Sequence, residues 1–129
     1  MSNKALTHFD TLTDYTVKML KIEYDDPNLI LRDRPTNWGD GVLLYKGQPF
    51  TGIICEYYLD STQPSSESEH KDGIIDGRQV EYWPNGTLKE EYFQKYDYLI
   101  SSFKTWNEQG ILISHSEYDQ FGNKVKKIL

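Results

Sequence analysis

The sequence predicts an all-β chain, an elongated antiparallel meander of repeated β-hairpins, with a less sharply defined segment at its N-terminal end. Three observations carry that reading. The stretch EYWPNGTLKEE (81–91) runs two aromatic residues into an Asn-Gly pair and out into a second strand-like run, which is a strong short-range hairpin signal. The unit recurs at a spacing of 24 or 25 residues, a period typical of repeat architectures. Tyr 10, Phe 5 and Trp 3 together make 18 aromatics among 129 residues, and such rings favour pleated, half-buried surfaces.

The elements follow in order. VKMLKIEY (17–24) alternates at Leu20, Ile22 and Tyr24 as a strand does, although Val17, Leu20 and Tyr24 also share one side of a helix. NLILR (28–32) reads as a short strand after Asp26-Pro27, and RPTNWGDG (34–41) is turn chemistry before Val42 to Tyr45 enters the repeats. TGIICEYYLDS (51–61) aligns with DGRQVEYWPNG (76–86) at an offset of 25, setting Gly52 on Gly77 and Glu56-Tyr57-Tyr58 on Glu81-Tyr82-Trp83. DGRQVEYWPNGTL (76–88) aligns with ISSFKTWNEQGIL (100–112) at an offset of 24, so that Tyr82 meets Trp106 and Gly86 meets Gly110. Ser101 and Ser102 stand where the third copy should carry glycine. DSTQPSSESEH (60–70) replaces the Asn-Gly turn with a polar, Ser-rich segment and is expected to be a mobile loop. EYDQFGNKV (117–125) is a last, partial copy. One domain over residues 1–129 is expected, with strands or a cap over 1–41 and three hairpin repeats plus a partial one over 42–125.

The Asn85-Gly86 pair is expected in a type I′ turn, both residues at positive φ. A second turn near Asp72-Gly73 leads on to the next strand. Alternation sends Tyr57, Tyr82 and Trp106 to one face with Cys55 and Val80, and Glu56 and Glu81 to the other. Carboxylates in register on neighbouring strands repel when buried, so the second face is assigned to solvent or a cationic partner. A single-layer sheet cannot cover both its faces. Tyr58, Trp83, Phe93, Tyr96 and Tyr98 are therefore assigned, with Glu56 and Glu81, to a partner-binding surface.

With 14 basic and 20 acidic side chains the formal charge is −6, which disfavours nucleic acid and anionic lipid and favours a basic partner. MSNKALTHFDTLTDY lacks the apolar core of a signal peptide and no stretch is long enough to cross a bilayer, so a cytoplasmic address and no membrane contact are expected. The single cysteine, Cys55, permits no internal disulfide.

No catalytic, metal or cofactor site is expected. Cys55 and His70 could be imagined as nucleophile and base, but Cys55 aligns with Val80 on the core face, where cysteine behaves as a small hydrophobe. His8, His70 and His115 lack the spacing of a zinc site. The adjacent carboxylates of YDDP (24–27) and KEEY (89–92) point to opposite faces of a strand and cannot share one substrate. GQPFTG and DGIIDG have no following Lys-Ser or helix to cradle phosphate and are read as turns. KVKKIL at the C-terminus reads as a soluble basic tail.

The run KDGIIDGRQVEYWPNGTLKEE resembles the MORN-repeat variant of YwqK-like bacterial antitoxin or immunity proteins, over about residues 42–125. The resemblance implies an all-β hairpin array that neutralises a cognate protein toxin by direct binding; the acidic side chains would steer a basic toxin such as a nuclease. The alternative it allows is a generic scaffold or a self-associating module, such as a homodimer, with no toxin partner.

Overall fold

The computed structural model describes residues 19–32, 41–96 and 98–129. The turn expected over 34–41, except for its last residue, and the first two residues of the 17–24 strand lie outside the described residues. Among those described every regular element is a strand: β1 (Lys21–Glu23), β2 (Leu29–Arg32), β3 (Val42–Tyr45), β4 (Gln48–Pro49), β5 (Gly52–Tyr57), β6 (Pro64–Lys71), β7 (Ile74–Tyr82), β8 (Leu88–Lys95), β9 (Tyr98–Trp106), β10 (Leu112–Tyr118) and β11 (Lys124–Lys127). No helix long and apolar enough to cross a membrane occurs among them.

Eight strands form one sheet in the order β1-β5-β6-β7-β8-β9-β10-β11, and β2-β3-β4 form a second. From β5 onward the large sheet is the antiparallel meander that the hairpin period predicts. Its exception is β1, which pairs parallel to β5 with Lys21 opposite Ile53 and Ile22 opposite Ile54. A parallel pair requires a crossover; the small sheet lies within it.

Two kinds of turn recur. Lys46-Gly47 (φ 51° and 83°) and Asp72-Gly73 (φ 51° and 84°) carry two successive positive φ values, as type I′ turns require. The Asn85-Gly86 turn does not. Only Gly86 is at positive φ, 92°, and its amide donates to the Trp83 carbonyl at 2.9 Å. Pro84 sets φ near the value needed at the second residue of a type I turn, and Gly86 then takes the left-handed position of a three-residue hairpin loop. The expected type I′ turn is corrected accordingly. The same closure recurs where Gly110 donates to Asn107 and Gly122 to Asp119. There the leading Asn107 and Asp119 side chains accept two amides each; Trp83 cannot, and Asn85 Oδ1 accepts the Thr87 amide instead.

The Ser-rich segment, expected to be a mobile loop, is β6 from Pro64 onward, paired on both sides to β5 and β7. Its strand character comes from its neighbours rather than its own propensity. Pro64 sits at its first residue, where no ladder amide is demanded, and Glu67 is held by Lys21 and the Tyr82 hydroxyl. KVKKIL is likewise no tail, since Lys124, Lys126 and Lys127 pair with β10. Pairing skips one residue at Ser65, Lys89 and Ile113, so a bulge recurs every 24 residues. The period is thus written in the backbone as well as in the side chains.

The core gathers at one end. Ile22, Phe50 and Ile54 are buried together, with Leu29, Leu43 and Tyr45 of the small sheet packed against them. Cys55 and Val80, aligned by the repeat, are 1% and 4% exposed. No described residue after Val80 is buried. The glycine positions Gly52 and Gly77 have φ of 153° and 116°, and their third-copy equivalent Ser101 keeps a left-handed φ of 61°. An L-residue there costs about 1–2 kcal/mol. Ser101→Gly is expected to raise the unfolding free energy by about 0.5–1 kcal/mol after the glycine's own entropy cost, measured by urea titration.

Candidate partner-binding surface

The repeated aromatic pair first serves the fold. Tyr58 Oη donates to the Tyr82 carbonyl at 2.5 Å, and Trp83 Nε1 donates to the Trp106 carbonyl at 3.0 Å. Tyr58 and Trp83 are equivalent in the repeat, as are Tyr82 and Trp106. The second ring of each pair therefore latches its hairpin to the next one. Asn85 Nδ2 adds a bond to the Glu108 carbonyl at 2.8 Å, and Lys89 Nζ stands 4.8 Å above the Trp83 ring. Both latch rings are half-buried, so their polar ends are spent within the chain.

Glu56 and Glu81 share a face, but β6 lies between them: Glu56 is opposite Ser66, and Ser66 opposite Glu81. The carboxylate directly beside Glu81 is Glu90 on β8. Partial burial, and then the Glu81 charge, push the Glu90 carboxyl above its ordinary range. Lys89 approaches Glu81 at 3.9 Å. The opposite face is paired instead. Burial pushes Glu67 up, but the Lys21 ammonium and the Tyr82 hydroxyl outweigh it and hold the group below the usual carboxylate range; Arg78 Nε meets Glu91 at 2.7 Å. Tyr57, expected in the buried column, is 39% exposed. The register shift at Glu56/Tyr57 ends regular pairing there, and its hydroxyl reaches back to within 3.8 Å of Cys55 Sγ.

The other edge of the sheet carries Phe93, Tyr96 and Tyr98. Phe93 is half-buried, opposite Arg78 and Ile100. Tyr96 occupies the turn position held by Lys46 and Asp72 elsewhere, at φ 53°, with its side chain left 58% exposed. Tyr98 lies against Gly122, where an added Cβ would be 2.9 Å from its ring. Beside Gly122 is Phe121, 66% exposed. Phe121 was missed by sequence reasoning; it stands where the other turns carry Asn85 and Gln109, and that departure was the available signal. The seven assigned residues thus divide into Glu56, Tyr58, Glu81 and Trp83 toward one edge, and Phe93, Tyr96 and Tyr98 toward the other.

The groups considered for chemistry are embedded in packing. Cys55 Sγ is 3.5 Å from the Ile22 carbonyl. His70 is buried 6.2 Å from the Phe50 ring, with Nδ1 3.1 Å from the Ser68 carbonyl. Among the described residues no three His, Cys, Asp or Glu converge as metal ligands. Burial lowers the His70 pKa more than its carbonyl contact raises it. A histidine whose folded pKa is depressed contributes its full share above the unfolded value of about 6.5, and that share is lost as pH falls through the folded value. The urea midpoint is expected to drop between about pH 7 and pH 5, and the drop to flatten in His70→Gln.

Comparisons with protein families, with curated proteins and with solved structures find no match to this chain.

Proposed function

We propose that the chain is a cytoplasmic antitoxin or immunity protein that neutralises a cognate bacterial toxin by covering its active surface, with no chemistry of its own. One observation carries this: beyond Val80 no described side chain is buried, so β8–β11 form a layer without a core of its own. Exposed rings on such a layer are the usual material of an interface. Tyr96 supports the reading. Its left-handed backbone carries a cost that its largely exposed ring does not offset within the chain. The like-charged pair Glu81 and Glu90 fits a cationic partner, which would relieve their repulsion. The resemblance of the best repeat to immunity-type repeats supplies the class of partner.

Co-expression with the toxin encoded beside the gene tests it. Host survival and a co-purifying complex are expected; neither protection nor a complex would overturn the proposal. Tyr96→Gly sharpens the test, because glycine suits the turn. Its unfolding midpoint is expected to rise while affinity for the toxin falls by about tenfold or more.

A further inference from the structure

We infer that copies of this chain associate head to tail, the basic strand β11 of one seating against an acidic, aromatic cavity at the β1–β5 end of the next. The inference stands without the toxin. The cavity, about 390 Å³ and open to solvent, lies where β1 and β5 end and the following turn begins, and its walls include Glu23, Tyr24, Asp25, Glu56, Leu59 and Asp60. Among the described residues, none of its four carboxylates is ion-paired. Tyr24 and Leu59 are 66% and 92% exposed, so apolar surface accompanies the charge.

The opposite end of the same sheet is its complement. β11 is exposed throughout and bears Lys124, Lys126 and Lys127, with Val125, Ile128 and Leu129 exposed beside them. The tail cannot reach its own cavity along the sheet. Seven strand spacings, roughly 34 Å, separate the two end strands. Symmetric pairing of two β11 strands would oppose lysines, and pairing of two acidic ends would oppose carboxylates. Lysines on an edge discourage docking of a like edge; an acidic edge is the one they favour. Joining unlike ends repeats without closing unless the rotation brings the chain round to a ring.

Sedimentation velocity of the full chain tests this. In about 0.01 M salt the weight-average sedimentation coefficient is expected to rise with concentration; in about 1 M salt, where the screening length falls from about 30 Å to about 3 Å, it should return to that of one chain. The triple variant Lys124→Glu/Lys126→Glu/Lys127→Glu and the triple variant Asp25→Lys/Glu56→Lys/Asp60→Lys, all at exposed positions, should each lose association alone and regain it when mixed. A wild-type chain that stays monomeric at low salt, or whose association ignores salt, overturns the inference. So does undiminished association of either variant, or a mixture of the two folded variants that stays monomeric.

Discussion

Gly52→Ala is expected to abolish cooperative folding. At φ 153° an added Cβ would overlap the Leu20 carbonyl oxygen and stand 2.9 Å from the Phe50 ring. The backbone cannot yield there, because the Leu20 carbonyl accepts the Ile53 amide at 2.8 Å and so begins the parallel β1–β5 pair. Moving it would separate β1, which supplies Ile22, from the rest of the core. Backbone overlap at such a junction costs upwards of about 4 kcal/mol, a large share of the roughly 5–15 kcal/mol by which a domain is stable. Circular dichroism should show no sigmoidal thermal transition. A wild-type melting curve would mean that the chain does not cross there as described.

Phe50→Ala is expected to cost about 3–5 kcal/mol. Phe50 is 2% exposed, edge-on to Tyr45 at 6.1 Å and tilted against His70, so it joins the small sheet to the large one. The informative comparison is Phe121→Ala. With its ring mostly in solvent, that variant should stay within about 0.5 kcal/mol of wild type. Urea unfolding distinguishes the two residues; equal losses would show that a second core exists near β10 and β11.

The repeat was legible because its period is carried by residues with strong local demands: Gly86 and Gly110 at left-handed turn positions, and the aromatic pairs beside them. The turn type was misread because the Asn-Gly pair was weighed without Pro84, whose ring decides the geometry one residue earlier. β6 was missed for a different reason. Ser65, Ser66 and Ser68 have little strand propensity, and what fixes them is pairing with β5 and β7. The parallel β1–β5 contact has no local signal at all, since it joins Lys21 to Ile53 across the whole small sheet. For the candidate surface, alternation placed Glu56 and Glu81 on one face but could not show that a whole strand separates them. Nor could it show that Tyr58 and Trp83 fasten hairpins to one another, because the carbonyls they reach lie 24 and 23 residues away. The third-copy departures were the most informative: Ser101 keeps the positive sign of φ found at Gly52 and Gly77 though not their angle, and Tyr96 takes a strained turn position.

Hydroxyl-radical footprinting of the isolated chain, in about 1 M salt to screen contacts between copies, tests the uncovered second half most directly. The expected result is that Tyr96 and Phe121 are oxidised nearly as fast as in the urea-unfolded chain while Phe50 is protected. Protection of Tyr96 and Phe121 to the level of Phe50 would contradict it, since the chain's own residues would then be covering the surface assigned to a partner.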